Sequence, residues 1–428
     1  MRKKFLLTLS VMLLVAITPS EAKVVSLYDL QQMPRSIEKD YYIWRYLKYP
    51  STTPYQAKVA IKGISHINKK LRVAYRKKTG LSISSTAPKK RTPKKSIFNW
   101  RIKAQANKLF AHGIKMVEQR KLQKAADDFY EAYYKYTQRW EKDKTLFWLY
   151  LLTNQKSYLD MLKESYHINL YTLLAADFTN SKYPKSIITP SSDRKRSPYI
   201  NETDPIHWAK IKAKLKLPST NLEELAKMCE SKESIGVSSY IQAKACNYTK
   251  SYFPFPYRDI MRNFTPQRQA LIYAIARQES RFVPASVSRS FALGLMQFMP
   301  FLIDHVAKQK GEVIDYDEIF KPRKAIEYAD YHLDYLQSYL YHPLFIAYAY
   351  NGGIGFTKRL IKNPKYFREG AFEPYLSMEK MKNVEAREYG KRVLTNYVIY
   401  LNKLGIPTRV LTLINQLTNP RKTDRFRR

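Results

Sequence analysis

The stretch Glu279-Ser280-Arg281-Phe282 closes an apolar run that opens at Thr265-Pro266, and its reading decides the fold. Thr265 offers a hydroxyl cap. Pro266 offers a residue whose missing N–H costs nothing in a first helical turn. Leu271, Ile272, Ile275 and Ala276 then fall on one face of a helix, and Glu279 lies one turn beyond Ile275 on that face. A carboxyl group beside apolar neighbours loses hydration, so its pKa is expected to rise, as a general acid requires. Alone, such a glutamate reads as a surface residue at a helix end. The company downstream changes that reading: Gly294-Leu295-Met296-Gln297, then Ala349-Tyr350-Asn351-Gly352-Gly353.

Taken in order, these residues resemble the catalytic core of the soluble lytic transglycosylases, lysozyme-like enzymes that cut the glycan strands of peptidoglycan. Glu279-Ser280-Arg281-Phe282 with Pro284 fits the family's first motif, with Glu279 in the catalytic place. Ser288 falls where the family has a serine near the scissile sugar. Ala292, Gly294, Leu295, Met296, Gln297 and Pro300 fit the second motif, and Ala349 to Gly353 the third. Glu385, Arg387, Tyr389, Val393, Asn396 and Tyr397 resemble a fourth segment of the soluble members. The resemblance implies a substrate groove built from Ser280, Ser288, Gly294, Met296, Gln297, Tyr350, Asn351 and Glu385. Gly294 is expected to allow close backbone approach, Met296 and Gln297 to line the groove, and Tyr350 to lean toward the Glu279 carboxyl. The chain departs from the pattern at Phe291, where Gly is usual, at Gly352, where Ala is usual, and at Gly390, where Val is usual. A ring at 291 is expected to reshape the groove.

The implied reaction needs one carboxyl. Most glycosidases flank the bond with two. No second acid adjoining the motifs has an obvious claim, and Asp304, Asp315, Asp317 and Glu318 read as solvated loop charge. By resemblance, Glu279 protonates the glycosidic oxygen between N-acetylmuramic acid and N-acetylglucosamine. The 2-acetamido group stabilises the anomeric centre, and the sugar's own 6-hydroxyl attacks to give a 1,6-anhydro end. Two alternatives stay open: a hydrolytic muramidase on the same scaffold, and a non-catalytic peptidoglycan-binding or assembly protein. The seven His show no metal-ligand spacing, and no phosphate loop or nucleophile elbow occurs, so no metal and no cofactor are expected.

Residues 1–22 read as a secretory signal peptide: Arg2, Lys3 and Lys4, an apolar run from Phe5 to Ile17, then Ser20-Glu21-Ala22. The run is short for a bilayer span. The expectation is an exported, periplasmic protein with no stable membrane span after signal cleavage. The chain carries +39; the leader holds three basic residues and one acidic, so its removal leaves +37. So basic a surface suits an acidic partner. Export argues against nucleic acid and favours peptidoglycan glycan strands, whose stems bear carboxylates. Protein partners are unknown from sequence. Cys229 and Cys246 read either as one disulfide across a short loop or as two free thiols, and they make a poor zinc site.

The expected fold is mainly α: a helical, solenoid-like N-terminal region followed by an α-rich, lysozyme-like catalytic domain. Composition divides it into an N-terminal helical segment (23–78), a flexible linker (79–98), a superhelix-like region (99–256), the catalytic domain (257–405) and a basic tail (406–428) read as a solvated end. Within 23–78, one helix is expected near Ile37 to Tyr49 and another from Tyr55 to Tyr75. The aromatic positions of this region, Phe129, Tyr133, Tyr136, Trp148 and Tyr171 among them, have helical spacing and read as core packing, with stacking on sugar faces as the alternative.

Overall fold

The computed structural model describes residues 25–83 and 94–427. The leader expected over 1–22 and the middle of the linker expected over 79–98 lie outside the described residues. Helices carry nearly all the regular structure described. The strand pair is short: Ile187–Ile188 lies parallel to Ser251–Tyr252. The chain is mainly α, as its periodicity predicts.

The first long helix, Ile37–Lys48, forms where expected, capped by the Ser36 side chain. The second breaks in two. Pro54–Ala60 runs into a 3-10 turn at Ile61–Gly63, and Lys69–Thr79 starts afresh behind Asn68. Asp40 holds the break. Its carboxylate accepts hydrogen bonds from the Ser65 amide, the Ser65 hydroxyl and the His66 amide at 2.7–2.8 Å. Three charge-assisted bonds replace the helical ones the run would otherwise make.

Lys94–Glu118 begins inside the span read as linker. Leu122–Lys135, Arg139–Thr153, Ser157–Lys163 and Leu170–Phe178 follow on short connections, each packing on the next. The aromatic stripe is core, as its spacing predicts. Phe110, Phe129 and Trp148 are buried with successive ring centroids 5.1 and 5.6 Å apart. Pro205–Lys214, Leu222–Met228 and Ile235–Ala245 close a further small core that also takes in Val283 and Ala285. Cys229 and Cys246 are free thiols, so no disulfide forms. The 11-residue helix Ile235–Ala245 lies between them.

In the C-terminal part of the chain, Val384–Lys403 packs along both Pro266–Glu279 and Pro343–Gly352. Gly390 permits the second contact: a Cβ there would sit 2.2 Å from Cε1 of Tyr348. That accounts for the departure from Val.

The N-terminal segment does not pack as a separate unit. One continuous hydrophobic core reaches from Val25 to Leu417. Phe291 is its hinge point. It is 1% exposed, with its ring 5.6 Å from Trp44 and 6.1 Å from Tyr41. The ring expected to reshape the groove instead buries itself against the helix Ile37–Lys48. Beside it, Arg45 pairs with Asp315 at 2.6 Å and Asp317 at 2.5 Å, so these two carboxylates are not solvated loop charge. The C-terminal tail is no solvated end either. Thr423 and Asp424 are buried, the Tyr341 amide donates to the Thr423 carbonyl, and Arg427 binds both Asp424 and the Phe367 carbonyl. Its basic residues are partly spent on tertiary contacts.

Candidate active site

Helix Pro266–Glu279 starts on the Thr265 hydroxyl, which accepts from the Arg268 amide, and its last residue is Glu279. The chain then turns sharply through Arg281 and Phe282, both left-handed at φ 54° and 63°. Two such residues in succession are costly and need support. Phe282 supplies it, buried against Tyr273 and Tyr400. The turn leaves Glu279 part-exposed at a helix end, backed by packed rings.

The Tyr389 hydroxyl donates to Glu279 Oε1 at 2.7 Å. Burial pushes the Glu279 carboxyl up to about 7, the charge of Glu385 adds to the rise, and the Tyr389 bond opposes it. A carboxyl poised there holds a proton near neutral pH and can give it up.

The loop after the turn folds on itself through bridges Val287 to Leu293 and Leu293 to Phe298. Ser288 stabilises it, its hydroxyl accepting from the Ala292 amide at 2.9 Å. The Gln297 side-chain amide donates to the carbonyls of Ser286 and Gly294. Several expected groove residues turn inward. Ser280 is buried and donates to the Leu295 carbonyl at 2.7 Å, tying the helix end to the loop. The Met296 side chain is fully buried. Gly294 does provide close approach (φ 79°), but to its own chain: a Cβ would lie 2.4 Å from the Ile319 carbonyl oxygen. The Tyr350 hydroxyl donates to the Met296 carbonyl at 3.0 Å, and Tyr350 lies close enough to Glu279 for the carboxylate charge to add to the rise that burial gives its pKa.

Asn351 and Glu385 are the expected residues with free polar groups. Asn351 is half-buried and Glu385 is exposed, and among the described residues the Asn351 amide makes no hydrogen bond and Glu385 no ion pair. The residue that sequence reasoning left without a role is Tyr389. It lies in the quoted fourth segment, and its polar tip on a buried helix face was the available signal, because a buried phenol needs a partner.

Residues 265–371 match the transglycosylase SLT domain family. The soluble lytic murein transglycosylase of Salmonella typhimurium strain LT2 is 29% identical over 178 residues, 40% of this chain and 27% of that protein. The one from Escherichia coli strain K12 is 27% identical over 221 residues, 48% of this chain and 32% of that protein. The matched stretch thus spans about a third of these relatives' length or less. Among solved structures, the 70 kDa soluble lytic transglycosylase of Escherichia coli aligns with a TM-score of 0.45 at 18% identity, covering 91% of this chain and 66% of that one. The likeness is to a transglycosylase SLT domain and is carried by residues 265–371.

Proposed function

We propose that the protein is a peptidoglycan lytic transglycosylase, with residues 257–405 as its catalytic domain and Glu279 as its one acid and base. The observation that carries this is the Glu279 carboxyl, held by Tyr389 and raised to about 7 at the edge of a part-exposed turn. Protonated, Glu279 gives its proton to the oxygen between N-acetylmuramic acid and N-acetylglucosamine. As the bond breaks, the 2-acetamido oxygen stabilises the anomeric carbon. The carboxylate then takes the proton of the muramic 6-hydroxyl, whose oxygen closes on C1. The proton balance is zero and no water enters. Tyr389 keeps the carboxyl oriented, Asn351 offers an uncommitted amide to the sugar, and Gln297, Ser288 and Tyr350 fix the loop wall.

Export to the periplasm belongs to the same reading, on the strength of residues 1–22. Among the described residues no helix is long and apolar enough to cross a membrane.

A hydrolytic muramidase is favoured by one feature only, the Glu385 carboxylate, whose charge registers on Glu279. It would have to activate water.

The test is release of soluble muropeptides from purified sacculi by the wild-type chain and by Glu279→Gln. The substitution keeps the shape and removes the transferable proton. We expect release by the first and none by the second; equal release by both contradicts the assignment.

A further inference from the structure

The loop that follows Glu279 has a tight turn at its tip, Ser288 to Phe291. The Phe291 amide donates to the Ser288 carbonyl and the Ser288 amide to the Ala292 carbonyl, both at 2.9 Å. These bonds leave the carbonyls of the two central residues, Arg289 and Ser290, for other partners. Both are taken from the opposite end of the chain. Asn68 donates through Nδ2 to the Arg289 carbonyl, and Lys70 through Nζ to the Ser290 carbonyl, each at 2.8 Å. The next residue, Phe291, sets its ring against Tyr41 and Trp44. Three successive residues of the turn are thus gripped by helix Ile37–Lys48 and by the capped start of Lys69–Thr79.

The base of the loop is held by the same segment through a relay. Arg45 pairs with Asp315 and Asp317, the Tyr41 hydroxyl donates to Asp317 at 2.8 Å, and Trp44 stacks on Tyr316 with ring centroids 5.8 Å apart. The 3-10 turn Tyr316–Phe320 that these contacts fix sets the Ile319 carbonyl against Gly294. Ser288 stands at the first hold and Gln297 just beyond the second.

The two hydrogen bonds at the tip add little to global stability, because water satisfies an exposed turn carbonyl when a protein donor leaves. Lys70 stands in the first turn of its helix, where the helix dipole disfavours a cation, so it does not serve that helix. Asn68 does serve it as a cap, but through Oδ1, which accepts from the Leu71 amide at 2.9 Å; Nδ2 is left for the loop. What the two donors fix is position. Phe291 and Gln297 hold left-handed backbone, at φ 60° and 52°, which surrounding structure has to impose. The bonded partners are 221 and 220 positions apart in sequence, so the loop has these holds only while the N-terminal segment is docked.

We propose that residues 37–70 brace the loop wall for the glycan strand, with Asn68 and Lys70 as positioning residues. The assignment rests on the peptidoglycan reading above. A wall already in place removes the cost of ordering the loop when the strand binds, so the brace acts on affinity. The proton chemistry is independent of it, because the Glu279 carboxyl is held by Tyr389 on a different helix.

The experiment compares wild type, Asn68→Asp/Lys70→Met and Lys70→Arg, all as full chains, acting on soluble uncrosslinked glycan strands. Asn68→Asp keeps the helix cap and loses the donor; Lys70→Met keeps the apolar stem and loses the ammonium. Melting temperatures are expected to match wild type. For the double variant KM is expected to rise roughly tenfold, the equivalent of two surface hydrogen bonds, with kcat and the alkaline limb of the pH–rate profile unchanged. Lys70→Arg keeps a donor and is expected to retain the wild-type KM. Hydrogen exchange gives a second readout that needs no substrate. In the double variant the amides of residues 286–298 are expected to exchange about tenfold faster, and those of Val384–Lys403 at the wild-type rate. An unchanged KM, a lower kcat at unchanged KM (the mark of a smaller folded fraction), or unchanged exchange over 286–298 overturns the proposal. A wild-type chain that releases no product sinks the transglycosylase reading alone, and the exchange rates then decide the brace.

Discussion

The Tyr389 hydroxyl and the Glu279 carboxyl meet at 2.7 Å across two packed helices, Val384–Lys403 and Pro266–Glu279. The bond stabilises the charged carboxylate and therefore opposes burial, which favours the neutral acid. Tyr389→Phe removes the opposing bond and leaves the burial. The Glu279 pKa is expected to rise further, by about one unit if the bond contributes roughly 1.4 kcal/mol. In a pH–rate profile the alkaline limb should move upward by that amount while the maximal rate falls. A limb that stays put would show that Tyr389 does not act on Glu279.

The raised carboxyl also sets a stability balance. A glutamate with a folded pKa near 7 against an unfolded one near 4.5 binds more protons folded than unfolded between those values. Stability from this group is therefore full below the unfolded pKa and is lost as pH rises toward 7. Glu279→Gln escapes the loss. It is expected to be more stable than wild type above pH 7, by about 1–2 kcal/mol after allowing for partial exposure, with the difference vanishing near pH 4. Denaturant titrations at the two pH values measure it.

Phe291 ties the N-terminal helix Ile37–Lys48 to the loop after Glu279 through Tyr41 and Trp44. Phe291→Ala should cost about 3–5 kcal/mol by denaturant unfolding. Phe291→Gly, the residue usual in the resembled family, should cost less than Ala despite losing one carbon more. Phe291 sits at φ 60°, where glycine is unstrained. A larger loss for Gly than for Ala would contradict this account of the site.

Helical glycines usually gain about 1 kcal/mol on becoming alanine. Two here should lose stability. A Cβ on Gly236 would lie 2.3 Å from Cβ of Phe282, and one on Gly390 would lie 2.2 Å from Cε1 of Tyr348. Gly236→Ala and Gly390→Ala are each expected to lower the melting temperature. The first should also lower activity, because it pushes on the turn that carries Glu279.

The sequence made the acid-bearing helix legible almost whole: the Thr265 cap, the Pro266 start, the buried Leu271, Ile272 and Ile275, and the stop at Glu279. These depend on local chemistry. What it hid depends on distant partners. Nothing near Ser65 announces that Asp40 will capture its backbone and break a helix. Nothing near Phe291 announces Trp44, nor near Asp315 announces Arg45. The motif residues did not tell which way each side chain turns: Ser280 and Met296 point into the core, and the hydroxyl that donates to the carboxyl is that of Tyr389.

The central claim is that Glu279 alone carries proton donation and return, with the muramic 6-hydroxyl in the place of water. Mass spectrometry of the ends made by the purified chain on isolated peptidoglycan tests it most directly. The account predicts 1,6-anhydro-N-acetylmuramic acid ends, lighter by one water than the hydrolysed form, and their loss in Glu279→Gln. Predominantly reducing ends from the wild-type chain would contradict it.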